Sequence, residues 1–220
     1  MVDGGAPDLD ALRAALRSPV PLDNLAAIEA AAKMREAAAP LVPDLLQFLT
    51  SEAHVPCTSR EYEFSGHALL AEEARGAIEM IGVAPGFDAL RRLLADHRVF
   101  LMPKASYDQG AYIGDYDSET LAPAAQAARL VALFGQGGFA FLPDLEANAR
   151  CEADEIGQPS RRAIGEMSKL YRDASEGDRQ AFAAAIDRIA NLPDVLAPTT
   201  HRGFDLRDLA RACKREIEKG

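Results

Sequence analysis

The chain has no tryptophan, and only 6% of its 220 residues are aromatic. Valine and isoleucine are also sparse and scattered, so little of the sequence favours an extended sheet. Alanine, the best helix former, supplies much of the apolar share instead, in runs such as Ala30–Ala32, Ala37–Ala39 and Ala183–Ala185. We therefore predict an all-α protein.

Cysteine is scarce as well. Cys57, Cys151 and Cys213 are odd in number and widely spaced, which excludes a disulfide framework and indicates a reducing compartment. The first seven residues lack the basic and apolar segments of a signal peptide, and no apolar run approaches the roughly 18 residues that a membrane span needs. We expect a cytoplasmic protein that does not enter a membrane, with residues 1–7 as a flexible end.

Positive charge is in short supply, because the net charge is −10 and the isoelectric point is about 4.9. Proteins that bind DNA or RNA neutralise phosphates with Lys and Arg, and anionic membrane surfaces attract the same side chains. This balance therefore excludes nucleic acid and membrane as expected partners. It favours a basic protein, since opposite electric fields steer association. The alternative is that the acidity only keeps the chain soluble.

Apolar residues recur at helical spacing along most of the chain. They predict helices over residues 8–16, 22–38, 41–49, 68–81, 87–94, 121–134, 139–149, 160–171, 178–192 and 205–217. Two connections, residues 51–66 and 99–120, are too long to be plain turns. Connections of this length are usually functional or disordered.

A Pro- or Gly-bearing turn followed by a leucine-rich helix recurs over residues 39–46, 83–90 and 137–145, at intervals of roughly 45 to 55 residues. The alanine-rich helix that ends at Gly82, followed by Phe87–Leu94, is typical of this pattern. In these features about two thirds of the chain resembles the HEAT-repeat family. The resemblance implies a right-handed superhelix (α-solenoid) of about four antiparallel helix pairs with flanking helices, in a single domain over residues 1–220 that holds a partner.

The second long connection contains three of the five tyrosines, and four carboxylates lie among them. Tyrosine offers a large contact area with a hydroxyl that still hydrogen-bonds, and carboxylates meet basic residues of a partner. We predict a partner-binding site formed by Tyr107, Asp108, Tyr112, Asp115, Tyr116, Asp117 and Glu119, together with Tyr62 and Glu63 of the first connection. The alternative is that these tyrosines pack back onto the helices.

Metal and catalytic sites are weakly indicated. Residues 115–119 alternate oxygen ligands, but they lack the glycine and the final glutamate of a calcium-binding EF-hand loop. Residues 117–120 precede a predicted helix, where Asp and Ser serve as caps. His54, Cys57 and His67 fall short of the four ligands of a structural zinc site. Carboxylates such as Glu72 and Glu73 could form an acid–base pair, but nothing selects them, so we expect no cofactor and no catalysis.

These observations favour a non-enzymatic module that holds a basic protein. A specific version is a bacterial immunity or antitoxin-type protein, which neutralises a toxin by charge and shape. An alternative from another class is a HEAT-like lyase or chaperone that binds a small ligand such as a linear tetrapyrrole, with the tyrosine-bearing connection lining the pocket. A third is a structural subunit of a larger assembly, for which an extensive apolar surface patch would be the sign.

Overall fold

The computed structural model describes residues 8–59, 64–101, 120–151, 153–191 and 206–218. This part of the chain is dominated by helices, so the all-α prediction is confirmed. The α-helices are α1 (Leu9–Leu16), α2 (Pro21–Met34), α3 (Val42–Leu46), α4 (Leu70–Ile81), α5 (Phe87–Leu94), α6 (Pro123–Leu130), α7 (Leu142–Ala149), α8 (Asp154–Lys169), α9 (Glu176–Ala190) and α10 (Leu206–Glu218). Short 3-10 segments cover Arg35–Leu41, Gln47–Thr50, Val131–Phe141 and Tyr171–Asp173.

Two small antiparallel strand pairs interrupt the helices where the sequence predicted only long connections. Strand β1 (His54–Ser59) pairs with β2 (Phe64–Leu69), and β3 (Phe100–Leu101) pairs with β4 (Thr120–Leu121). The prediction of residues 51–66 as a loop was therefore wrong for these strands. Proline and small polar residues in β1 hide the alternation by which a half-buried strand is recognised.

The chain divides into two compact units. The first unit consists of Met1–Gly86 and Val99–Leu121, and the second consists of Phe87–Arg98 and Ala122–Gly220. The division after Gly86 assigns α4 and α5 to different units, although the sequence pattern grouped them as one helix pair. A single domain over residues 1–220 and a right-handed superhelix stay predictions.

In the first unit, α2 packs against α1 and α4, and α3 also packs against α4. Arg35, just beyond α2, donates from Nη1 to the carbonyl oxygen of Met80 near the end of α4 at 3.3 Å. Glu29, six residues before Arg35, also interacts with Glu73, seven residues before Met80. The two helices therefore lie side by side and run in the same direction. The core of this unit includes the fully buried side chains of Ile28, Leu41, Leu45, Leu49, Leu70 and Ile78.

In the second unit, α8 packs against α6, α7 and α10, while α9 packs against α7 and α10. Helix α5 contacts α6 and α7. Helix α6 is unusual because seven of its eight residues are buried, and only Arg129 is exposed. The core of this unit includes Leu90, Leu94, Leu130, Phe141, Phe182 and Ile186.

Helix α2 ends at Met34, four residues before the predicted end. Arg35 has φ 55° and ψ −138°, a conformation that cannot continue an α-helix. Gly135 adopts nearly the same conformation, with φ 54° and ψ −128°, within the predicted turn at residues 135–138. Pro43 and Pro143 each follow eight residues later and stand near the start of the next α-helix.

Two other helix starts differ from the predictions. Helix α8 begins at Asp154, six residues before the predicted start, because Pro159 lies inside the helix and does not end it. Helix α6 begins at Pro123, whose fixed φ suits the first helical position. Its N-cap is Ala122, without a side-chain hydrogen bond, so the predicted capping by residues 117–120 was wrong. Thr120 instead lies in β4.

Candidate partner-binding surface

The nine residues predicted to bind a partner lie outside the described part of the chain. They are Tyr62, Glu63, Tyr107, Asp108, Tyr112, Asp115, Tyr116, Asp117 and Glu119. The pairing of β3 with β4 does place Leu101 opposite Thr120 in the first unit, so the two ends of the second long connection are adjacent. The prediction for the residues between them stays a prediction.

The residues considered for a metal site lie in or near the β1–β2 hairpin. The Nδ1 atom of His54 lies 3.3 Å from the carbonyl oxygen of Glu52. Cys57 is opposite Gly66, and His67 is opposite Pro56, while the side chains of residues 56–67 lie outside the description. Among the described residues, no group of three or more His, Cys, Asp or Glu side chains could hold a metal ion.

Charge is divided unequally between the two units. Counted along the sequence, the first unit has 17 acidic and 7 basic residues, whereas the second has 17 of each. The whole net charge of −10 therefore belongs to the first unit. An acidity that served solubility alone would have no reason to collect in one unit.

Ion pairing follows the same division. In the first unit, 3 of the 10 described carboxylates form ion pairs: Asp10, Asp44 and Glu79. In the second unit, 7 of the 13 carboxylates with described side chains do so: Asp96, Asp144, Glu146, Glu166, Glu176, Asp187 and Asp208. The fraction of described carboxylates in an ion pair is therefore lower in the first unit than in the second.

Three of these carboxylates form a cluster on neighbouring helices, which we call the acidic face: Glu29 of α2 with Glu72 and Glu73 of α4. Partial desolvation raises the pKa of Glu73, and the negative charges of Glu29 and Glu72 raise this pKa further. Arg75 lowers the pKa of Glu73, but its guanidinium forms its ion pair with Glu79, at 2.6 Å. None of the three carboxylates forms an ion pair with a described residue, so Arg75 only partly offsets their mutual repulsion.

Only part of this cluster could be recognised from the sequence. Glu72 and Glu73 were visible as an adjacent pair, and both lie in the first turn of α4, where negative charge also stabilises the helix dipole. Glu29 has no such role, because it lies in the interior of α2. Its closeness to Glu73 depends on the packing of α2 against α4, for which no sequence signal exists.

Cys213 is not suited to act as a reactive thiol. Cys213 is buried in α10, and desolvation raises the pKa of its thiol to about 11. An interaction with Ser168 only partly opposes this rise. A thiol with such a high pKa is almost entirely protonated at neutral pH, so Cys213 serves as a packing residue.

No helix in the described part of the chain is both long enough and apolar enough to cross a membrane. Neither known protein-family models nor functionally characterised proteins show a match to this sequence.

Proposed function

We propose that this protein is a non-enzymatic binding module whose acidic first unit holds a basic protein partner. The observation that carries the proposal is the concentration of the whole net charge of −10 in the first unit, where most described carboxylates have no cation. Such a field attracts a basic protein over several ångströms and raises its association rate. Contacts to Lys and Arg would then relieve the repulsion among Glu29, Glu72 and Glu73.

The helical scaffold suits this role. Arg35 and Gly135 share a backbone conformation with positive φ, and each lies eight residues before a Pro-Asp-Leu segment. This repetition supports a scaffold of HEAT-like helix pairs. In such scaffolds each pair packs on its neighbours, and the exposed helix faces form extended binding surfaces. By chain position, the predicted tyrosine and carboxylate residues at 62–63 and 107–119 also fall in the first unit. The residues of the predicted tyrosine site and the excess negative charge therefore belong to the same unit.

The immunity or antitoxin-type version is a narrower form of the same proposal. In this version the partner is a basic toxin whose active site the acidic unit covers. Size, acidity and the tyrosine-bearing segment support it. Its expected signature is that the purified partner is an enzyme that loses activity when it is mixed with this protein in equal amounts.

The test begins with capture of partners on the immobilised 220-residue protein, followed by identification, purification and calorimetric titration of each candidate. The first variant changes Glu29, Glu72 and Glu73 to Gln. The matched control changes Asp88, Asp173 and Glu218, which are exposed carboxylates of the second unit, to their amides. A second variant changes Tyr107, Tyr112 and Tyr116 to Ala.

We expect a basic partner whose affinity falls about tenfold or more in the first variant, equivalent to about 1.4 kcal/mol, and changes little in the control. Raising the salt concentration should weaken wild-type binding, because salt screens exposed charges. A loss confined to the tyrosine variant would place the contact in the segment 107–116. If no basic protein binds, or if binding is insensitive to salt, the proposed function is wrong.

A further inference from the structure

The exposed side of α4 carries negatively charged side chains, one large apolar side chain and a glycine. Glu73, Gly76 and Met80 follow one another at spacings of three and four residues and therefore lie on one stripe of the helix. Glu72 and Glu79 flank this stripe and are also exposed. The Met80 side chain is 42% exposed, which makes it one of the few large apolar side chains on the described surface. The opposite side of α4 is buried in the first unit.

Gly76 has no packing reason to be glycine. No described atom outside its own helix neighbourhood lies within 4 Å of the position that a Cβ atom would occupy. Glycine in a helix interior is less favourable than alanine, so this position lowers the stability of the free protein without any visible gain. Its effect on the surface is a notch, one side chain wide, between the Glu72–Glu73 turn and the Glu79–Met80 turn.

Negative charge is concentrated at the Glu72–Glu73 end of the notch. Glu29 on α2 adds a third carboxylate to Glu72 and Glu73, and Arg75 forms its ion pair with Glu79. Two exposed cations also lie on this side of the unit: Lys33, which forms no ion pair with a described residue, and Arg35, whose Nη1 donates to the carbonyl oxygen of Met80. A ligand that brings several positive charges would therefore be favoured here over a neutral or acidic one.

We propose that this surface, formed by α4 and Glu29, is the docking site for a basic amphipathic helix of the partner, which lays an apolar side chain over Gly76 and against Met80. The inference rests on the proposed function and names the partner's contacting element. Lys or Arg on the rims of that helix would contact Glu29, Glu72 and Glu73.

A helix fits this surface better than a flat element does. A small residue at the contact point lets two helix axes approach closely, and a side chain of one helix then seats in the gap of the other. Methionine adapts its shape to varied apolar partners, which suits a surface contact. Glu29 on α2 and the adjacent Glu72 and Glu73 on α4 suit basic residues spaced three and four apart on one side of a helix.

The first test uses a defined probe, a synthetic amphipathic peptide of about 18 Lys, Leu and Ala residues, which is long enough to form a helix on binding. It is titrated into the 220-residue protein, and backbone amide shifts are followed by NMR. We expect the largest shifts at Gly76, Met80 and the neighbouring residues of α4. A peptide with Glu in place of Lys should cause none. Shifts confined to other surfaces, or no shifts with the Lys peptide, would overturn the inference.

The second test uses variants that leave the acidic face intact. Gly76→Leu fills the notch, and Met80→Ser removes the apolar contact. Each should weaken binding of the Lys peptide about tenfold. The matched controls are Gly177→Leu, at an exposed position early in α9, and Leu22→Ser, at an exposed position in the first turn of α2. Thermal melts establish that each variant is folded.

The two proposals fail in different ways. If a basic partner binds the wild type and loses affinity in the Gln variant of Glu29, Glu72 and Glu73, the proposed function holds. If that partner then binds Gly76→Leu and Met80→Ser as tightly as the wild type, the helix-docking inference is wrong while the proposed function stands. If no basic partner binds the wild type, both are wrong.

Discussion

Arg91 and Asp144 form an ion pair of 2.9 Å between Nε and Oδ2, which joins α5 to the first turn of α7 across 53 residues of chain. The same guanidinium donates from Nη2 to the carbonyl oxygen of Ala140 at 3.3 Å. The first unit contains the same arrangement: Arg13 of α1 donates to Asp44 at 3.1 Å and to the carbonyl oxygen of Pro40 at 3.3 Å. In each unit, an arginine of an earlier helix thus binds the aspartate in the first turn of a later helix and a backbone carbonyl oxygen just before that helix.

This arrangement predicts unequal costs for removing the two aspartates. Asp44 also accepts a hydrogen bond from Arg17, and its side chain is 11% exposed, against 28% for Asp144. We expect Asp44→Ala to lower the free energy of unfolding by about 1–2 kcal/mol and Asp144→Ala by about 0.5–1 kcal/mol. Urea denaturation measures both. Asp208→Ala, in an exposed pair within α10, is the control, and a cost for it as large as that of Asp44→Ala would contradict the explanation.

The shared backbone conformation of Arg35 and Gly135 predicts opposite responses to substitution. This region is accessible to glycine and strained for other residues, typically by about 1–3 kcal/mol. Gly135→Ala should therefore destabilise the protein by at least about 1 kcal/mol. Arg35→Gly should be neutral or stabilising, because relief of strain offsets the lost hydrogen bond to Met80. Thermal unfolding of both variants tests this, and equal destabilisation by the two would show that the conformation is not the cause.

The raised pKa of Glu73 has a consequence for stability as a function of pH. Because its folded-state pKa lies above its ordinary value of 4.5, ionisation of Glu73 opposes folding. The cost is absent below pH 4.5 and develops as pH rises through the folded-state pKa. We expect Glu73→Gln to stabilise the protein by a few tenths of a kcal/mol at pH 7, and the gain should vanish near pH 4. An equal gain at pH 4 and at pH 7 would contradict this explanation.

The burial of Cys213 predicts very slow alkylation. Its thiol has a pKa of about 11 and is shielded from solvent, so both the reactive thiolate and access to it are limited. Treatment of the native protein with iodoacetamide at pH 8, followed by site-resolved mass spectrometry, should leave Cys213 unmodified until denaturant is added. Cys151, which is only partly buried, provides the internal comparison. Equal labelling of the two residues in the native protein would show that α10 opens readily.

Much of the helical framework could be predicted from the sequence, because local signals define it. Asp8 caps α1 by accepting from the amide of Asp10, and Gly82 ends α4 in the left-handed conformation, with φ 75°. Both are standard boundary signals. The end of α2 could not be predicted in this way. Arg35 carries a side chain that disfavours its observed φ, so only the surrounding structure holds it there.

The candidate site was predictable only in part, for a different reason. Charge and composition indicated a basic protein partner, and the tyrosine-rich segment was the only obvious place to put it. The acidic face instead depends on α2 and α4 lying side by side, which brings Glu29 close to Glu73 although the β1–β2 hairpin separates the two helices along the chain. Gly76 and Met80 carried no signal in the sequence, since a single glycine and a single methionine in a helix are ordinary.

Helix α6 has a consequence for how this protein can vary. Its buried residues are mainly alanines, so α5 and α8 pack against backbone and methyl groups and not against long side chains. Replacing any of these alanines with valine or leucine would push the neighbouring helices apart, since a close-packed interior has no room to absorb the added volume. Substitutions during evolution should therefore accumulate slowly in α6 and faster on the outer faces of its neighbours. The alanines of α6 would therefore be among the least replaceable residues of the chain.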